Sequence, residues 1–276
     1  MHDQRQQKEE ELEQEEIHQR SSPGGRVVYK SILKEADEEL ERSSEALFWS
    51  GLAAGLSMGF SMIAEAALRH HLPDTAWRPL VAKLGYSVGF LVIILGRQQL
   101  FTENTLTPML PLMKRKDLKT FANVMRLWGV VLAANLLGAL VLALVAERTP
   151  LFEKPVREEF VAMGQEAMDP KFLELFLRGI FAGWLIAILV WMLPYAESSH
   201  FFVIILLTWL IGVAKFSHII AGAVEVFSAG WAGEKAWGTI FGRYIVPVLL
   251  GNIAGGVTLV AALNHAQVCA GNKDES

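Results

Sequence analysis

Three stretches of the chain run for close to the depth of a bilayer without a single Asp, Glu, Lys or Arg: residues 46–64, 127–146 and 179–196. A fourth begins at 244 and reaches Asn264 as an apolar run. A helix rises ~1.5 Å per residue and a hydrocarbon core is about 30 Å thick, so roughly 20 apolar residues cross it. Uncharged runs of this length are uncommon in soluble cores, and each predicts a spanning helix. Two further apolar stretches are interrupted. In residues 84–113 a helical run reaches Leu95, polar residues intrude at Arg97, Gln98, Gln99, Glu103 and Asn104, and apolar residues return as far as Met113. In residues 198–229 the run breaks at Gly212–His218, then resumes with Glu225 inside it. The pattern predicts an all-α membrane protein of six spans, the second and fifth broken.

The spans fall into two similar halves. Gly51 and Gly55 in the first correspond to Gly179 and Gly183 in the fourth, and Asn135-x-x-Gly138 in the third to Asn252-x-x-Gly255 in the sixth. The breaks pair Thr102 with Ser217. Three spans per half is an odd number, so the second half inserts upside down, which predicts an inverted 3+3 repeat. Paired broken spans in such a repeat point to a transport site near the midplane, because backbone freed at a break must line protein or a water-filled cavity. The Gly-x-x-x-Gly pairs predict close helix contacts.

Charge sharpens the division. Residues 1–45 hold seven Lys/Arg and thirteen Asp/Glu, while the other 231 residues carry only 34 of the 54 charges. Residues 1–25 read as a disordered acidic, Gln-rich tail. Residues 26–45 read as an amphipathic cytoplasmic helix with Val28, Ile32 and Ala36 on one face. Residues 46–265 form the six-span domain and 266–276 a C-terminal tail. The Lys114-Arg115-Lys116 cluster places the loop after span two inside, and with it both termini in the cytoplasm. The polar, acidic start predicts no cleavable signal peptide. A net charge of −4 with no basic face excludes nucleic acid as a partner. The single Cys269 excludes a disulfide framework or a cysteine metal site. No cofactor and no metal are expected, and the absence of a clustered acid–base–nucleophile set predicts that the protein is not an enzyme.

The residues at the breaks carry a resemblance. Leu100-Phe101-Thr102-Glu103-Asn104, Lys215-Phe216-Ser217-His218-Ile219-Ile220-Ala221 and Gly251-Asn252-Ile253-Ala254-Gly255-Gly256 resemble, in order, the motifs of the formate–nitrite transporter family. The runs at 51–59, 97–105, 125–131, 183–187 and 207–211 are most similar to its YfdC-type bacterial inner-membrane branch, and the resemblance covers about residues 30–265. It implies a homopentamer in the inner (plasma) membrane with an aquaporin-like pore in each subunit. It also implies passage of small monovalent anions, such as formate or nitrite, or of their conjugate acids. Carried over by position, the pore histidine is His218 and the threonine facing it Thr102. The inner constriction falls on Tyr86 and Phe90, and the outer one on Ile211 and Phe216. The chain departs from the family at Ser217, commonly Glu, and at Gly222 and Gly183, both commonly Asn. The vestibule lysine position falls near Ala167, one turn from Lys171. Pore architecture therefore transfers further than substrate choice.

An anion entering a dry apolar ring loses its water, so the path must supply donors or a proton. His218 either hands over its proton so that the neutral acid passes, or stays charged and draws the anion in. Thr102 can donate to either species. Arg97, Glu103, Lys215 and Glu225 are the charges inside the broken spans, where a charge costs roughly 2.5–3.5 kcal/mol. They read as two ion pairs clamping the breaks, or as cations that attract anions. Glu65, Arg126, Glu174 and Arg178 read as snorkelling span ends. Two other functions fit the pattern: a neutral-solute or water pore, against which stands the absence of an Asn-Pro-Ala pair, and a membrane sensor or regulatory protein using the charged tail.

Overall fold

The computed structural model describes residues 25–196 and 199–265; of the tails expected at 1–25 and 266–276, all but Gly25 lies outside them. The described residues are helical throughout and contain no strand. Helix α1 (Gly25–Glu41) buries Val28, Ile32, Ala36 and Leu40, one residue per turn. It is followed by α2 (Ser44–His71), capped by the Ser43 hydroxyl, which accepts from the Ala46 amide. A short α3 (Arg78–Ala82) with proline in its first turn leads into α4 (Ser87–Leu95). A single 3-10 turn (Glu103–Thr105) precedes α5 (Met109–Arg115). Lys116, left-handed at φ 54°, ends α5, and Asp117 caps α6 (Leu118–Arg148) through the Thr120 amide at 2.8 Å.

The second part of the chain begins with α7 (Lys154–Met168) and continues through α8 (Phe172–Met192), α9 (His200–Val213) and α10 (Ile219–Ala232). A short α11 (Trp237–Ile240) passes through a π turn (Phe241–Ile245) into α12 (Val246–His265). Among the described residues, five helical stretches are long and apolar enough to cross a membrane: Ser44–His71, Arg78–Leu95, Leu118–Arg148, Phe172–Met192 and Trp237–Leu259. The helices α9 and α10 are apolar but shorter. Bulky apolar side chains on the outer faces, among them Trp49, Phe60, Phe181, Phe202 and Leu206, stay exposed, as expected where lipid or another subunit takes the place of water.

Two helix pairs organise the core, α2 against α6 and α8 against α12. Both depend on glycine. A Cβ on Gly55 would collide with the Asn135 carbonyl, and one on Gly183 with the Asn252 carbonyl. In return Gly138 lies against the Leu52 carbonyl and Gly255 against the Ile180 carbonyl. Close backbone approach is the means of helix association where lipid removes the hydrophobic drive.

Candidate functional site

Two non-helical segments, 96–102 after α4 and 214–218 after α9, are built alike. Each preceding helix closes with an amide reaching back five residues, Gln98 N to Ile93 O at 2.9 Å and Phe216 N to Ile211 O at 3.0 Å. Such a closure needs a left-handed residue just before it, and here it is Arg97 (φ 50°) and Lys215 (φ 55°). A non-glycine residue in that region costs about 1–2 kcal/mol, so the surroundings must hold it.

Two buried asparagines do so. Asn135 of α6 accepts from the Phe101 amide at 2.8 Å and donates to the carbonyls of Gly51 (2.7 Å) and Gln99 (2.9 Å). Asn252 of α12 accepts from the Ile219 amide at 2.8 Å and donates to the carbonyls of Gly179 (2.8 Å) and Ser217 (2.9 Å). The two sets correspond bond for bond. They pair 99 with 217 and 101 with 219, which moves the register of the breaks: Thr102 corresponds to Ile220 and His218 to Leu100. The pairing of Thr102 with Ser217 read from the sequence is three residues out, because Asn–backbone bonds rather than residue type set it. The sequence showed both asparagines as repeat markers but not as the groups that satisfy the loops.

Thr102 and His218 are therefore not equivalents, and the structure brings them together: Thr102 Oγ1 and His218 Nε2 are 2.7 Å apart, with both residues buried. His218 is the N-cap of α10, and its Nδ1 accepts from the amides of Ile220 (3.3 Å) and Ala221 (3.2 Å). Two N–H donors on Nδ1 leave Nε2 as the protonated nitrogen, so the neutral ring donates to Thr102. A second proton on Nδ1 would face both amides at the positive end of a helix.

Phe90 packs edge-on against His218, centroids 4.9 Å apart, and the Tyr86 ring lies tilted against Phe90 at 5.4 Å. The proposed division into an inner ring (Tyr86, Phe90) and an outer ring (Ile211, Phe216) does not fit this packing. Gly212 lies against Tyr86 and Lys83, which brings Ile211 to the level of Tyr86. Phe216 stacks instead on Phe181 of α8, centroids 5.3 Å apart. The cause is the antiparallel run of α9 along α4, seen also in Ser87 bonding the Ile205 carbonyl and Trp209 the Leu80 carbonyl.

The expected clamps are also absent among the described residues. Arg97 and Lys215 are exposed and neither pairs with a carboxylate. Their backbones serve the turns. Glu103 is half-buried with one oxygen unpartnered, and Glu225 is nine-tenths buried without a hydrogen bond or ion pair. The buried ion pairs lie elsewhere. Glu65, expected to snorkel, has no exposed surface and meets Lys83 at 2.6 Å and Arg69 at 2.9 Å, while Arg69 also holds Glu166 of α7 at 3.0 Å. For Glu166, burial alone would raise the carboxyl, but the Arg69 hydrogen bond and charge hold it below the usual range. Arg126 does not snorkel either: it donates to the carbonyls of Leu40 and Arg42 at the end of α1. Arg178 pairs with Glu174 and reaches the Lys215 carbonyl.

At the opposite side the first loop rests on α1. Glu39 accepts from the side chains of Gln99 (3.1 Å) and Thr107 (3.0 Å), and Gln99 accepts in turn from Asn104 (2.9 Å). Burial pushes the Glu39 carboxyl up, and these two bonds pull it partway back.

Comparison with known proteins places this geometry. The description "Formate/nitrite transporter" matches residues 26–266. The chain is 40% identical to "Inner membrane protein YfdC" of Escherichia coli over 242 residues, 88% of this chain and 78% of that one. It is 23% identical to "Formate channel FocA" of Haemophilus influenzae, covering 79% and 85% of the two chains. Among solved structures it resembles an "FNT family ion channel" with a TM-score of 0.74 at 18% identity, covering 86% of this chain and 96% of that one. It also resembles a "Pentameric formate channel with formate bound", with a TM-score of 0.68 at 21% identity and 79% and 95% coverage.

Proposed function

The chain belongs to the formate/nitrite transporter family, and from that premise we propose that it carries small monovalent anions, or their conjugate acids, across the inner membrane through a pore in each subunit of a homopentamer. The helices group as six spans in an inverted 3+3 repeat. The second joins α3–α4 to α5 and the fifth joins α9 to α10. Both termini lie in the cytoplasm, and the protein is a channel or transporter rather than an enzyme.

The observation that carries the reading is the meeting of Thr102 and His218 at 2.7 Å, each delivered by one of two matched breaks. Backbone outside a helix is tolerated at membrane depth only where protein buries it or where it lines a cavity. Here Asn135 and Asn252 bury it and leave its two polar side chains free to face a permeant. A neutral His218 offers Nε2–H and Thr102 offers its hydroxyl. An anion that displaces their mutual bond gains two donors at one point without meeting a fixed charge that would trap it. Conduction needs this balance: binding favourable enough to enter and weak enough to leave. Phe90, Tyr86, Leu100 and Phe101 are buried apolar residues that exclude bulk water. A fixed cation at His218 would oppose the two amides at Nδ1, so the ring serves as a neutral hydrogen-bond donor.

Uptake of labelled formate, nitrite, acetate and lactate into proteoliposomes tests this, with wild type, Thr102→Val and His218→Phe. The wild type takes up at least one of these anions, and both variants lose most of that flux while still assembling. Absence of uptake for every anion in the wild type overturns the reading.

A further inference from the structure

Beyond the central pair, one buried hydroxyl stands without a partner. Tyr244 is 2% exposed, yet its hydroxyl makes no hydrogen bond among the described residues. A buried tyrosine usually ends on a hydrogen-bond partner, because a hydroxyl stripped of water without a replacement costs free energy. Tyr244 belongs to the π turn (Phe241–Ile245), in which the Val246 amide reaches back five residues to the Phe241 carbonyl. Single π turns inside helices are frequent at functional sites.

The packing of this turn sets where the hydroxyl ends. Ile240, Tyr244, Val248 and Asn252 follow one another at intervals of one turn along α11, the π turn and α12, and all four are buried. The stripe runs along α10. Ile240 lies against Gly230 at one end, and at the other Asn252 meets the Ile219 amide and the Ser217 carbonyl. Between these contacts the Tyr244 hydroxyl fills the space that a Cβ on Gly222 would need. Glycine at 222 is what admits the hydroxyl to the surface of α10.

That surface is the one that carries His218. The Gly222 amide donates to the His218 carbonyl at 3.0 Å, one turn on, so the two positions share a face. From Ile219 to Gly230 α10 is buried, and the two side chains there with the most remaining access are Ala221 (3%) and Glu225 (9%). At 3.6 residues per turn both lie on the His218–Gly222 face. The residual access along α10 therefore follows this face, and the Tyr244 hydroxyl meets it at Gly222.

We propose that the Tyr244 hydroxyl is a second binding point for the permeant, one turn of α10 from the Thr102–His218 pair, which rests on the transport reading above. A phenol hydroxyl donates to an oxyanion and accepts from a conjugate acid, so it serves either form of a small monovalent acid. Thr102 and His218 must give up their mutual bond to engage a permeant. Tyr244 has no internal bond to give up, so its contact adds directly to occupancy of the path. Its loss weakens binding without slowing passage through the centre.

The concentration dependence of uptake into proteoliposomes tests this, with labelled formate, nitrite, acetate and lactate as probes and uptake by protein-free liposomes subtracted. Tyr244→Phe removes one oxygen that bonds nothing among the described residues, so the variant should assemble and melt as wild type does. For each anion that wild type takes up, the half-saturating concentration rises about tenfold in Tyr244→Phe, while the maximal rate stays within about twofold. An unchanged half-saturating concentration overturns the inference. So does a variant that melts earlier or fails to assemble, since the hydroxyl would then be holding the fold. A wild type that takes up none of the four anions overturns the transport reading instead.

Discussion

Replacing Asn135 by alanine removes three hydrogen bonds at once from a residue with no exposed surface. It leaves the Phe101 amide and the carbonyls of Gly51 and Gln99 facing a small cavity. An unsatisfied buried group costs about 1–3 kcal/mol in a soluble core, which would give about 3–9 kcal/mol for three. Side-chain hydrogen bonds inside membranes average about 0.6 kcal/mol, because the unfolded chain also finds partners there, which would give about 2. The Phe101 amide and the Gln99 carbonyl belong to a loop with no helical partner to fall back on, and the Gly51 carbonyl retains its own helix. A loss of about 2–5 kcal/mol follows, between the two limits. Thermal unfolding of the purified protein in detergent, followed by loss of the oligomer, reads the stability. Formate uptake in proteoliposomes reads the site, because the loop Asn135 holds is the one that delivers Thr102. Asn252→Ala removes the corresponding three bonds and should cost about the same. An Asn135→Ala protein with unchanged melting and flux would refute the claim that these side chains hold the breaks.

Other consequences follow from the same contacts. Gly55→Ala and Gly183→Ala each drive a Cβ into a partner carbonyl and should destabilise by about 1–3 kcal/mol, read as earlier thermal loss of the oligomer. Lys83→Met leaves Glu65 buried with Arg69 alone, at the lower end of the about 3–5 kcal/mol that follows loss of a buried partner; an unchanged melting curve would show that the pair carries little. The Glu39 carboxyl is raised in the folded protein, so its contribution to docking α1 is fully present below the unfolded value and is lost as pH rises through the folded one. Protease cleavage of α1 should therefore quicken with rising pH in wild type and lose that dependence in Glu39→Gln.

Much of the fold could be read from composition along the chain, because a bilayer imposes a simple rule on helix length and charge. Runs such as 127–146 became α6, and the interruptions after Leu95 and Gly212 became the loops that carry Thr102 and His218. What the sequence could not provide was depth. Ile211 was assigned opposite Tyr86, yet the antiparallel packing of α9 on α4 brings them to one level. Glu65 read as a snorkelling span-end charge, but the chain folds back through the short α3 and places Lys83 on it. Arg97 and Lys215 looked like partners for Glu103 and Glu225 because they recur at matched positions. What recurs is a left-handed backbone that ends each helix, a constraint on φ that residue identity does not display. Asn135 and Asn252 recur at matched positions inside uncharged runs, which is the signal that could have marked them as anchors.

The central claim is that a neutral His218, held through Nδ1, presents Nε2–H to the point where Thr102 also donates. Solid-state nitrogen-15 NMR of histidine-labelled protein in bilayers at neutral pH, with His218→Phe to assign the resonance by its disappearance, tests it directly. The expected signal is a neutral ring protonated at Nε2 with Nδ1 as acceptor. A ring protonated at Nδ1, or at both nitrogens, would contradict it.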